Sequence, residues 1–359
     1  MNYESYLALD VLLSAQRPVS DTKGRPAHDE LLFISIHQTY ELWFKQILFE
    51  LNSILQILSQ NKVNEKEMDK VVARLARINQ IFKILVSQVD VLETMTPMDF
   101  LEFRDLIYSA SGFQSFQFRL VENKLGLRSA DRLNYNSLPY HATLSESQAQ
   151  LVIQAEKEKS LFDCLDSWLS RTPFLNMSGF KFWEKYQESA ETMFAQDESF
   201  IDKNSQLNEE EKKRLKLNIN SSREAFSSLF NEKLYNEMRA RGDWRLSYLA
   251  VHGALLIQLY RDQPIFQLPF RLITEVLDLD SHLTQWRYRH TLMVKRMLGL
   301  RIGTGGSSGA KYLRESTEKH KIFEDFFKLT TFFIPRNRLP ELPKDFEEKM
   351  GFNFRDQRG

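Results

Sequence analysis

One cysteine, Cys164, stands in 359 residues. That excludes an intramolecular disulfide, a Cys-rich zinc site, a four-cysteine cluster and a C-x-x-C-H covalent attachment, so a metal would have to be held by histidine or carboxylate. Charge of one sign is also lacking: Lys+Arg and Asp+Glu are 48 each, and no whole-chain field draws a nucleic acid or an anionic membrane. No long apolar run is present, and MNYESYLALDVLLSAQ has neither the basic start nor the apolar stretch of a signal peptide. The expectation is a cytoplasmic protein in a reducing setting, whose ligand is a small molecule or another protein. Strand signals are missing too, since no alternating Val/Ile/Thr/Tyr run flanks an Asn-Gly or Asp-Gly turn.

What is there is helical. With 42% apolar and 27% charged residues the chain has ample material for a core. Apolar residues recur every three or four positions at Phe33, Ile36, Tyr40, Trp43, Ile47, Leu51, Ile54 and Leu58. They do so again at Met68, Val71, Leu75, Ile78, Phe82, Leu85, Val89 and Leu92. The polar NKVNEKE between the two runs predicts an antiparallel turn. Further helices are predicted at about 145–170, 180–196, 208–240, 243–261, 266–299 and 310–331. The fold class is therefore all-α, one domain over 1–359 with long antiparallel core helices and a smaller inserted helical lobe at about 171–240.

Glycine is scarce, 13 in all, yet Gly303, Gly305, Gly306 and Gly309 fall together in RIGTGGSSG. A dinucleotide loop needs G-x-G-x-x-G after a strand, and here Ser308 stands where the last glycine should fall. A P-loop frame from Gly305 ends in Ala310-Lys311-Tyr312. Both phosphate-cradling readings fail on residues, and on context, because a helix precedes the loop. A helix C-cap with a linker fits the composition. A movable lid fits it as well, since glycine allows close backbone approach while Thr304, Ser307 and Ser308 offer hydroxyls.

Just upstream, QWRYRHTLMVKRMLG places His290 on a helix with Trp286, Met293 and Met297 at i−4, i+3 and i+7. One nitrogen donor beside a large polarizable wall suits a haem iron, and equally suits plain packing. His37 lies on the apolar stripe of LLFISIHQTYELWFKQIL, one turn after Phe33. Two core-facing histidines on separate aromatic-rich helices can stand on opposite sides of a flat cofactor. In TPMDFLEFRDLIYSASGFQSFQFRL, Phe100 and Arg104 at i and i+4 share a face, an aromatic wall beside a guanidinium able to grip a carboxylate or to pair with Glu102 or Asp105.

Taken together, YLALDVLLSAQ, HDELLFISIHQTYELWFKQILFEL, VLETMTPMDFLEFRDLIYSASGFQSFQFRLVENKLG, WRYRHTLMVKRMLG and GTGGSSGAKYLR resemble the tryptophan 2,3-dioxygenase family of haem enzymes, in family order from near the N-terminus to beyond residue 314. The resemblance implies the family's large helical haem-dioxygenase fold. It implies insertion of both atoms of O2 across the indole C2–C3 bond of L-tryptophan to give N-formyl-L-kynurenine, the first step of tryptophan catabolism by the kynurenine pathway. It implies a non-covalent haem b, one per subunit and ferrous when active, with His290 as axial ligand. His37 becomes the catalytic residue beside the indole N–H, Arg104 the carboxylate anchor, and Phe33 and Phe100 the walls of the indole. Thr304 would meet the amino-acid end, and Gly303, Gly305, Gly306 and Ser307 would form the lid. Tyr3, Tyr6 and Leu7 would reach a neighbouring subunit's pocket in a homotetramer, a dimer of dimers. Two rival readings differ in class: a haem enzyme of the same superfamily acting on another indole, and a non-catalytic haem-binding or helical scaffold protein.

Overall fold

The first long helix runs from Glu30 to Leu58 and the second from Met68 to Leu92. Their apolar stripes meet: Ile47, Leu51, Ile54, Leu75, Ile78, Phe82 and Leu85 are fully buried. Polar ties between them fix the direction. Gln88 donates to the Ile36 carbonyl, Tyr40 to the Leu85 carbonyl, and Arg77 to Glu50. As one residue number rises the other falls, so the pair is antiparallel. Each fully buried aliphatic side chain contributes about 1.5–3 kcal/mol, so this seam is a substantial source of stability.

The computed structural model describes residues 1–60, 62–108, 110–133, 139–175, 181–299 and 309–351, with backbone alone at 309–312. Among the described residues every regular element is helical, as the sequence predicts. No described helix is long and apolar enough to cross a membrane.

Two compact units divide the chain. The first comprises Met1–Phe162 and Asp278–Ile322, the second Asp163–Leu277 and Phe323–Gly359. The first contains the two long helices together with Pro97–Phe103, Phe116–Leu125 and Glu146–Lys157, and the C-terminal part of the 35-residue helix Pro264–Leu298. At its start, Tyr3–Leu7 and Leu9–Leu13 bury no residue at all. In the second, Phe182–Lys203 and Glu209–Leu229 form an antiparallel pair tied by Lys216 to Asp202 and by Arg223 to Glu198 and Glu191. Its aromatic core includes Tyr186, Phe194, Phe226 and Phe332, with the Tyr186 hydroxyl donating to the Phe332 carbonyl. The stretch 171–240, expected as an inserted lobe, falls inside this unit.

Three predicted helices are each broken in two, for local reasons. Within 145–170, Glu158 is extended, and Ser160 and Phe162 pack onto Gly126. That glycine ends the helix Phe116–Leu125 at φ +117, where an added Cβ would lie 2.8 Å from the Phe162 Cβ. Within 208–240, the Asn231 side chain accepts from Leu234 N–H and caps a new helix, Glu232–Arg241. Within 310–331, the helix Gly309–Lys319 stops because side chains take over the next backbone groups. Arg287 donates to the His320 carbonyl and Asp280 accepts from Ile322 N–H.

Candidate functional site

A cavity of about 290 Å³ opens inside the first unit, and every residue lining it belongs to that unit. The first long helix contributes Phe33, His37, Tyr40, Glu41 and Phe44; the 35-residue helix contributes Trp286, Arg287, His290, Met293 and Met297. Phe100 closes another side, and Leu313, Ser316 and His320 come from the segment after the glycine loop. The two histidines singled out by sequence, and the Trp286, Met293 and Met297 wall, therefore share one space.

Aromatic packing fixes the His37 end. The Phe33 ring lies 4.0 Å from the His37 ring, 5.8 Å from Phe100 and 5.6 Å from Phe103. Phe103, fully buried and edge-on to Phe100, supports this group from behind. His37 Nδ1 sits 2.7 Å from the Phe33 carbonyl one turn back. A carbonyl can only accept, so Nδ1 carries the proton and the neutral ring keeps its lone pair on Nε2. Burial lowers the His37 pKa, against the opposing pulls of the Phe33 carbonyl and the Glu41 carboxylate. Glu41 is itself held by the Gln117 amide, which donates to its carboxylate at 2.8 Å and to its carbonyl at 3.0 Å.

At the other end, the His290 and Trp286 rings lie nearly parallel, 6° apart with centroids at 5.5 Å. Burial, with a smaller contribution from His37, pushes the His290 pKa down to about 4, so this ring too is neutral near pH 7.

The third side is ionic, and sequence reasoning missed it. Glu122 meets three guanidiniums: Arg119 at 3.0 Å, Arg132 at 2.6 Å and Arg287 at 2.8 Å. All four are buried, at 1% exposure for Glu122 and 3–8% for the arginines' side chains. Burial alone would raise the Glu122 carboxyl, but attraction to Arg132, Arg119 and Arg287, with His320 nearby, holds it well below the usual carboxylate range. His320 Nε2 accepts from Leu133 N–H at 3.1 Å, which leaves the ring proton on Nδ1. Burial drives the His320 pKa down to about 4; Glu122 opposes this and Arg287, Arg132 and Arg119 reinforce it. The sequence did hold a clue. Arg119 and Glu122 fall on the same stripe as the buried Phe118, Val121 and Leu125.

The remaining expected residues lie elsewhere. Arg104 opens the tight turn Arg104–Ile107 and donates its N–H to the Phe100 carbonyl, so the i, i+4 relation survives across the helix end, yet Arg104 is not part of the cavity lining. Tyr3, Tyr6 and Leu7 are exposed on the first short helix and do not line this cavity. Thr304, Gly303, Gly305, Gly306 and Ser307 lie outside the described residues.

Comparison with known proteins places this arrangement in context. Residues 1–333 match the family model described as tryptophan 2,3-dioxygenase. The chain is 54% identical over 354 residues to a protein of that name from Bdellovibrio bacteriovorus, covering 99% of each. It is 46% identical over 351 residues to one from Dictyostelium discoideum, covering 98% of this chain and 88% of the relative. It is 44% identical over 342 residues to one from Mus musculus, covering 95% and 84%.

Proposed function

The chain belongs to the tryptophan 2,3-dioxygenase family and oxidises tryptophan with dioxygen, and we propose that the cavity shared by His37 and His290 is where it does so. The observation that carries this reading is the pair of neutral imidazoles facing one largely apolar space from two helices.

The donor set fits a haem. His290 is a half-buried neutral imidazole on the cavity wall that makes no hydrogen bond among the described residues, so its lone pair is available to an iron. The Arg119 Nε is buried without an acceptor beside a cluster of excess positive charge, which suits the carboxylates of a haem b. A non-covalent haem b, one per subunit, would be held by His290 and would supply, in its ferrous state, the iron that activates dioxygen.

The chain's own residues do the rest. Phe33 and Phe100, packed against each other, together wall one side of the indole, and Phe103 keeps both rings in place. His37 Nε2, bearing the lone pair because Nδ1 is committed to the Phe33 carbonyl, accepts the indole N–H and orients the ring. Val89, Leu92, Met293 and Met297 exclude water from the reacting face. The same reading assigns the substrate carboxylate to Arg104, which in this structure stands outside the cavity lining, and the amino-acid end to Thr304 with Gly303, Gly305, Gly306 and Ser307. Both oxygen atoms enter the product, N-formyl-L-kynurenine, so no external reductant is consumed. The exposed Tyr3, Tyr6 and Leu7 pack against a neighbouring subunit's pocket in a cytoplasmic homotetramer.

Single substitutions test the assignment. His290→Ala loses tight haem retention and N-formylkynurenine formation together. His37→Ala retains haem but lowers kcat/KM by about tenfold to a hundredfold, the cost of one orienting hydrogen bond. A His290→Ala protein that keeps both haem and turnover sinks the reading.

A further inference from the structure

The ionic side of the cavity is over-supplied with positive charge. Arg119, Arg132 and Arg287 bring three permanent cations and Glu122 one anion, while His320 is neutral. Glu156, beyond Tyr140, offsets part of the charge on Arg132, which leaves a buried excess of between about one and two positive charges, costly unless an occupant supplies the balance. Arg119, Glu122 and Arg287 line the cavity; Arg132 does not. Arg132 stands behind Glu122 and is pinned three ways. It donates 2.6 Å bonds to both Glu122 and Asn123, and its guanidinium stacks on Tyr140 at 4.1 Å. Arg287 is fixed from its far side by donating to the His320 carbonyl at 2.6 Å.

We propose that Glu122 and Arg132 are positioning residues for a dicarboxylate edge of the cofactor: Arg132 locks Glu122 from outside the cavity, and Glu122 holds Arg119 and Arg287 as a preorganised pair of cations. This rests on the reading above that the cavity takes a haem. The logic is preorganisation. A guanidinium already clamped by a buried carboxylate loses little freedom when it meets a second carboxylate, whereas a loose one must be ordered first. The turn around Arg132 therefore contributes to cofactor choice without touching the cofactor.

The test compares two porphyrins that differ only in the charge of that edge. The full-length chain is loaded with iron protoporphyrin IX or with its dimethyl ester, and release to an excess of scavenging apoglobin is timed. Charge-assisted bonds to two carboxylates make the wild type release the diacid at least about tenfold more slowly than the diester. Arg132→Met shrinks that ratio to within about threefold of unity, a change that general loosening, which speeds both porphyrins alike, does not produce. Arg128→Met, which removes an exposed partner of Asp131 from the same turn, leaves the ratio as it was. If the Met variant does not fold, Arg132→Lys keeps the charge but cannot serve Glu122 and Asn123 with a planar fork, and the ratio still falls. An unchanged ratio in the folded Arg132 variant overturns the proposal, as does a wild type that releases both porphyrins alike; in both cases the haem reading stands if His290→Ala speeds both. A wild type that retains neither porphyrin removes the haem reading, and this proposal with it.

Discussion

Acidification should expose the His320 latch. In the folded protein this imidazole is pushed down to about 4, against 6.5 for the unperturbed ring, chiefly by burial, with Glu122 opposing and Arg287, Arg132 and Arg119 adding to the fall. Between those two values the unfolded chain binds a proton that the folded chain refuses, so stability falls as pH falls. The contribution is fully present above about pH 6.5 and gone below about pH 4. The whole gap is worth about 3 kcal/mol, of which roughly 2 kcal/mol disappears between pH 7 and pH 5. His320→Gln isolates this group, since the glutamine carbonyl can still accept from Leu133 N–H while carrying no titrating proton. Urea unfolding of both proteins at pH 7, 6 and 5, followed by far-UV circular dichroism, gives the comparison. The wild type should lose roughly 2 kcal/mol more than the variant over that range. Parallel pH profiles for the two proteins would refute the reasoning, because they would mean that His320 titrates alike in the folded and unfolded chains.

Three further outcomes follow from packing and hydrogen bonding. Gly253→Ala places a Cβ 2.2 Å from the Leu169 carbonyl oxygen, a backbone atom that cannot swing away, and should cost at least about 2 kcal/mol in thermal unfolding. Leu75→Ala empties a fully buried site between the two long helices and should cost about 2–5 kcal/mol by denaturant titration. Tyr40→Phe removes a hydroxyl, its pKa pushed up to about 12 chiefly by burial, that donates to the Leu85 carbonyl at 2.9 Å; the loss should be about 1 kcal/mol by denaturant titration.

The long helices were legible because a buried helical face must repeat every three or four residues, and Ile47, Leu51, Ile54 and Leu58 do so without interruption. Helix ends were less so. Nothing near His320 breaks helical periodicity; the helix stops there because Arg287 and Asp280, distant in sequence, take its backbone groups. The break at Asn231 was readable in principle, since asparagine three residues before Leu234 is a capping signal, but the apolar pattern runs through it. His37 and His290 were each readable from the apolar stripe beside them, whereas their meeting in one cavity is a tertiary fact.

The ionic cluster shows why charge is the hardest site signal to extract from one sequence. Arg119 and Glu122, three apart on a helix, look like any solvent-facing pair, for which the expected benefit is a few tenths of a kcal/mol. What separates them is the arrival of Arg132 and Arg287 from other parts of the chain and the exclusion of water from all four. If stability alone were at stake, apolar residues of similar volume would serve the fold as well or better. The cluster is also unbalanced, since its three buried cations face one buried anion and only Arg132 has further help, from Glu156; a purely structural ion pair has no reason to be so. That imbalance, placed at the wall of the cavity that holds both histidines, belongs to what the cavity binds, and it makes the Arg132 turn part of the binding apparatus although no residue of that turn lines the cavity.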